Sequence, residues 1–273
     1  MLKKLRILTV TQHALMLAYR AEIYLWVLAH VMPFLMMGVW VTASRSGAGG
    51  AGGGGGMAFA LTPVDYARYF VCVFIVRQFS TVWMIHEFEW HIVEGRLSYF
   101  LLRPMNPLWN YVTAHLGEQL ARFPFFIMVL AFFFILYPQA RWMPSASAIL
   151  LGFFTIYVAF ALRFALQYCF AMLTFWFERA SAIEQLSFLP YVFLSGLLAP
   201  LADFPEPARR IAELTPFPYV LSFPAQILMG QITASSPQLY QGFAVIAAWF
   251  AGLCLVGQFL WRRGLRRYSG QGA

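Results

Sequence analysis

The stretch HEFEWHIVEGRLSYFLLRPMNPLWN, residues 86–110, decides the fold, because it is the longest polar interruption in the first half of an otherwise apolar chain. Before it lies an apolar run at 66–85. After it the polar texture continues to Gln119, and a second apolar run occupies 120–137. Each run is close to the ~20 residues that cross a bilayer as a helix. Within the stretch, Glu87, His91, Glu94 and Ser98 follow at spacings of four, three and four, which makes one polar stripe. Phe88, Ile92, Tyr99 and Leu102 form an apolar line, with Val93, Leu97 and Leu101 beside it. The pattern predicts an amphipathic helix along a membrane surface, ended at Arg103-Pro104 because proline removes a donor and disfavours helix at the residue before it.

Composition supplies the membrane. The chain is 61% hydrophobic and 11% charged, against roughly 25% charged in soluble domains. The expectation is an all-α, polytopic membrane protein forming a single domain over 1–273. Its six spans are at 23–41, 66–85, 120–137, 145–177, 183–201 and 240–261. Pro33 would kink the first span and Pro190 lies inside the fifth. The fourth run is too long for a perpendicular crossing, so it tilts, bends or projects. Residues 1–22 carry Lys3, Lys4, Arg6 and Arg20 among scattered leucines and read as an interfacial helix with no cleavable leader. Between spans five and six, Pro200, Pro205, Pro207, Pro216, Pro218, Pro224 and Pro237 punctuate apolar pieces too short to cross. Two short helices at the outer face are expected there, with Gly230 as a helix terminator.

Basic residues set the orientation. With the N-terminus inside, the inner segments hold Lys3, Lys4, Arg6, Arg20, Arg96, Arg103, Arg179, Arg262, Arg263, Arg266 and Arg267. The outer segments hold only Arg45, Arg141, Arg209 and Arg210. Both termini and residues 86–110 are therefore cytoplasmic. The net charge of +8 is accounted for by these flanks and does not call for nucleic acid.

Several chemistries are excluded. SRSGAGGAGGGGG at 44–56 is a flexible outer loop rather than a phosphate-binding loop, because that loop needs a lysine and the chain has none after Lys4. His86 and His91 are five residues apart, about 140° around a helix, so they do not form the four-residue metal pair of a zinc protease. Cys72, Cys169 and Cys254 sit singly in apolar runs as small buried hydrophobes. No catalytic constellation and no metal site are expected. Arg77 and Arg163 lie inside spans, where a charge costs ~2.5–3.5 kcal/mol on insertion scales. Each is either structural, as half of an ion pair with Glu118 or Glu184 or by snorkelling toward the cytoplasmic headgroups, or a contact for an anionic headgroup in a substrate pathway. Glu118 and Arg122 stand at i,i+4 spacing at the entrance to the third span.

Residues 92–104, Ile-Val-Glu-Gly-Arg-Leu-Ser-Tyr-Phe-Leu-Leu-Arg-Pro, resemble the I-x-x-G-x-L-x-x-x-L-L-R-P segment of ABC-2-type permeases, the membrane subunits of ATP-driven exporters. Tyr19-Arg20-Ala21-Glu22 and the late segment from Phe204-Pro205 through Leu214-Thr215-Pro216-Phe217 to Pro224 and Gly230 are similar too, while the Gly-rich loop departs from the pattern. The resemblance implies a permease in a bacterial cytoplasmic (inner) membrane, paired with a second copy or a sister permease above two cytoplasmic ABC ATPase subunits. ATP and magnesium would be held by those partners, and no cofactor by this chain. Residues 86–110 would carry the coupling helix, with Glu87, Glu89, His91, Glu94, Gly95, Arg96 and Arg103 facing or supporting the ATPase. Pro216, Phe217, Pro218 and Pro224 would belong to an outer gate. ATP-driven closure of the motors would move the coupling helix, tilt spans two and three and open the pathway outward. The cargo implied is lipid-like, amphipathic or drug-like. A secondary transporter or channel would need intramembrane carboxylates or an internal repeat, and a membrane enzyme or assembly factor would need a reactive cluster at one interface. The sequence offers none of these.

Overall fold

The computed structural model describes residues 2–18, 25, 30–46, 59–177 and 179–268. The Tyr19–Glu22 motif, most of the first half of span 23–41 and the glycine run from 47 to 56 lie outside the described residues. Among the described residues all regular structure is helical. In chain order the helices are α1 (Leu2–Ala18), α2 (Met32–Arg45), α3 (Pro63–Ser80), α4 (Met84–Val93), α5 (Leu97–Leu101), α6 (Leu108–Leu136), α7 (Ala146–Met172), α8 (Ala180–Leu194), α9 (Glu206–Leu214), α10 (Phe217–Val220), α11 (Ser222–Leu228) and α12 (Pro237–Arg267).

Local chemistry sets the ends of these helices. Thr62 caps α3 by accepting from the Asp65 N–H at 3.2 Å, with Pro63 in the first turn, where a missing N–H costs nothing. Ser145 caps α7 in the same way through the Ala148 N–H at 3.2 Å. Gly230 terminates α11 at φ 79°. Its N–H donates to Ile227 O and that of Gln231 donates to Gln226 O, both at 3.0 Å, closing a Schellman motif.

Among the described residues four helical segments are long and apolar enough to cross a membrane: Pro63–Val93, Leu108–Leu136, Ala146–Phe175 and Pro237–Arg267. The first is broken at residues 81–83, between α3 and α4. The six-span expectation is met at four positions. The described part of the first span, α2, has 14 residues, and Pro33 sits in its first turn rather than kinking it mid-length. The fifth is α8, whose 15 residues reach ~22 Å. It stops at Leu194, seven residues before the expected end, because the chain turns at Gly196 with φ 86°. The third span begins at Leu108, twelve residues earlier than expected, and its lower turns carry Asn110, His115, Glu118 and Gln119, all buried. The fourth run resolves into α7 and a short 3₁₀ turn, Leu173–Phe175, whose Thr174 and Phe175 are buried.

α3 is the centre of the bundle. Of its 18 residues, 12 are buried, and it packs against α2, α7 and α11. In the Pro63–Val93 segment 72% of the most apolar window is buried, against 11% for Pro237–Arg267, so α12 is peripheral. α12 nonetheless docks closely on α7. A Cβ at Gly257 would stand 2.8 Å from the Tyr168 ring, and one at Gly264 would overlap the edge of the Phe175 ring in the turn after α7. A second apolar cluster, with Phe88, Leu97, Tyr111 and Phe175 among its members, closes one end of the bundle.

Candidate functional site

That end gathers the predicted coupling segment. Gly95 adopts φ 67° and its N–H donates to Ile92 O at 3.0 Å, so the chain stops α4 and restarts as α5. The single amphipathic helix expected over 86–103 is therefore two helices at an angle, and the stripe of Glu87, His91, Glu94 and Ser98 does not form one face.

Most of α4 is strapped to its neighbours. The Glu89 carboxylate accepts from the Ser181 N–H at 2.8 Å and from the Ser181 hydroxyl at 3.2 Å, at the N-terminus of α8, where an anion is favoured. His91 is buried, with Nδ1 2.8 Å from the Tyr111 hydroxyl of α6. Just ahead of α4, the Trp83 indole N–H donates to Glu118 at 2.9 Å and the Trp83 backbone N–H to His115 Nε2 at 3.2 Å. His86 lies 3.7 Å from Glu184. Glu87 is half-buried and borders a cavity of about 250 Å³ shared with Gln12 and Met16 of α1 and Glu118 of α6. Ser98 and Tyr268 are 3.2 Å apart through their hydroxyls, which ties α5 to the end of α12.

What remains exposed is the turn and its flanks. Arg96 pairs with Glu94 at 3.1 Å and lies over the Trp90 ring at 4.0 Å, and Arg103 lies over Phe100 at 5.0 Å. Around them Trp90, Val93, Tyr99 and Leu102 are exposed, Tyr99 to 70% and Leu102 to 85%. Of the seven predicted coupling residues, the structure thus puts Glu94, Arg96 and Arg103 at the tip with Gly95 as its pivot, puts Glu89 and His91 behind it as ties, and leaves Glu87 at the wall of the cavity. Trp90, Tyr99 and Leu102 were not expected at the tip, because a continuous helix would have turned Tyr99 and Leu102 toward the membrane with Phe88. The glycine at 95 was the signal for the break.

The intramembrane arginines come together without carboxylates. Arg163 Nη1 donates to the Tyr191 hydroxyl at 2.8 Å, and its guanidinium lies 4.4 Å from that ring. Arg77 has Tyr191 and Arg163 as electrostatic neighbours. Its Nε and Nη1 are buried and hydrogen-bonded to nothing among the described residues, and both amide atoms of Gln78 are in the same state. The ion-pair alternatives fall elsewhere. Glu118 faces Arg122 at 3.4 Å, as the i,i+4 spacing predicts, and Glu184 accepts from Gln167 at 2.6 Å.

At the opposite end the proline-rich segment is packed rather than loose. Pro216, Pro218 and Pro224 are buried, and Phe217 meets the Tyr191 ring edge-on at 6.3 Å. Tyr69 donates to Gly196 O at 2.8 Å, the Trp40 indole donates to Leu198 O at 2.7 Å, and Tyr66 donates to the Asp203 carboxylate at 2.8 Å. These bonds anchor the segment after α8 to α2 and α3. Two apolar pieces were expected here, and the second divides into α10 and α11 at Leu221. No group of three or more metal-binding side chains occurs among the described residues.

A helical bundle with four helical segments long and apolar enough to cross a membrane, a strapped, partly exposed turn at one end and a packed proline-rich segment at the other defines a polytopic integral membrane protein. Residues 63–272 match the profile of the ABC-2 family transporter protein, and the chain belongs to that family. No curated protein matches the chain.

Proposed function

We propose that the chain is the permease subunit of an ATP-driven exporter. Two copies, or this chain and a sister permease, form the pathway, and two ABC ATPase subunits dock on the turn bearing Trp90, Glu94, Arg96, Tyr99 and Leu102. The observation that carries this reading is the contrast within residues 84–103: ties through Glu89 and His91 to α8 and α6, and a bare aromatic tip one turn away. Exposed Tyr and Trp beside Arg, at an end where water replaces lipid, suit a protein interface. A rigidly tied tip passes displacement into α6 and α8 instead of absorbing it.

On this reading the spans number six, with α2 and α8 completing the bundle, and the tip and both termini face the cytoplasm of a bacterium. ATP and magnesium are bound by the partner, and this subunit performs no chemistry. Arg77 and Arg163 line the pathway and receive the anionic group of an amphipathic cargo. Unpaired charge and unmet hydrogen-bonding capacity inside a span are costly unless a ligand or water meets them. Pro216, Phe217, Pro218 and Pro224 brace the outer gate. The test is Arg163→Gln in the reconstituted complex. Transport lost at normal protein level supports a pathway role, and unchanged transport rejects it.

A further inference from the structure

A groove of about 520 Å³ runs along the outside of the bundle between α6, α7 and α12. Its walls are apolar through most of their length, with Val112, Phe160, Phe164 and Leu253 among them, and it ends at Asn106, Gln258 and Arg262. Along α12 it extends from Phe250 to Arg262, which at 1.5 Å per residue is about 18 Å. That is close to one leaflet of a ~30 Å hydrocarbon layer. At its mouth Arg262, Arg263 and Arg266 border a second concavity, and no carboxylate lines either one. None of these three arginines takes part in an ion pair among the described residues.

We propose that this groove holds one acyl chain of an anionic phospholipid whose phosphate is bound at Arg262. The apolar walls lie at membrane depth and must be filled by hydrocarbon. The polar end coincides with the most basic part of the chain, on the side where charge counting places the cytoplasm. A basic pocket between membrane helices at that level recognises a negatively charged headgroup. Because Arg263 and Arg266 add charge beyond what a zwitterionic headgroup can neutralise, the site selects net negative charge as well as phosphate. The groove also touches Trp109 of α6 and Trp261 of α12. The ring of Trp261 lies 6.4 Å from that of Phe88 in α4, so the lipid braces the base of the tip that the proposed motor would move.

Full-length protein, detergent-purified and offered equal amounts of phosphatidylglycerol and phosphatidylcholine with the same acyl chains, tests this by native mass spectrometry. Phosphatidylglycerol is expected to be retained about tenfold or more over phosphatidylcholine. R262Q combined with R266Q should abolish that preference, R262K should keep it, and A161W, which fills the groove with the arginines intact, should lower retention of both lipids. Equal retention of the two lipids by the unaltered protein overturns the proposal without any variant. So does a preference unchanged in the double arginine variant, or a groove covered by a second copy of the chain that leaves no lipid bound. The lipid readout needs no ATPase, so it stands or falls separately from the permease reading.

Discussion

Glu94 and Gly95 show how two adjacent residues divide a task. Glu94 pairs with Arg96 in an exposed setting, where such a pair contributes little to folding. Glu94→Lys is therefore expected to leave insertion and thermal stability unchanged while it abolishes docking of the ATPase or uncouples hydrolysis from transport. Parallel ATP hydrolysis and transport assays on the reconstituted complex check this, and normal coupling would reject the tip as the docking surface. Gly95→Ala places a side chain at φ 67°, at a cost of about 1–2 kcal/mol. It should lower the melting temperature modestly and reduce coupling more than stability, since the strain sits in the pivot. The pair Glu118 and Arg122 is different, because both side chains are about 95% buried or more. Glu118→Gln keeps an acceptor for Trp83 but strands the guanidinium, so a loss of ~3 kcal/mol is expected in thermal unfolding. Arg122→Met in the same background should recover part of it.

Among the elements, α1 and α6 meet backbone to backbone. A Cβ at Gly117 would stand 2.9 Å from the His13 backbone nitrogen and 3.1 Å from Thr9 O, and backbone cannot swing aside as a side chain can. Gly117→Val should release α1 and speed tryptic cleavage after Lys3, Lys4 and Arg6. Gly252→Ala, which meets nothing within 4 Å, should leave cleavage unchanged. The sequence announced both helices but not their engagement. The lower turns of α6 were hidden because Asn110, His115, Glu118 and Gln119 read as a loop. His115, Glu118 and Gln119 are polar because they bond to Trp83 and to the end of α3, not because they face water. Gln119, for example, donates to Phe79 O at 2.7 Å. The early stop of α8 and the break at Gly95 share a cause. Each depends on a glycine with positive φ, and composition alone does not tell such a glycine from one inside a helix. Periodicity and hydropathy made the long helices and the basic end legible. The partners of Arg77, Arg163 and Glu184 depend on helix rotation, which hydropathy does not encode.

At the scale of the whole molecule, the two ends differ in kind. One end brings α4, α5, the first turns of α6 and the last turns of α12 together around Phe88 and Trp261. The opposite end ties the segment after α8 to α2 and α3 through Trp40, Tyr66 and Tyr69. On the proposed reading of this ABC-2 family member, force enters at one end and cargo leaves at the other. The most direct measurement is photo-crosslinking from single positions in membranes that contain both the chain and its ABC ATPase, with probes at Tyr99, Leu102 and the exposed Leu214 at the opposite end. The account predicts ATPase adducts from 99 and 102 that change with ATP, and none from 214. Absence of adducts at 99 and 102, or equal adducts at 214, would contradict it.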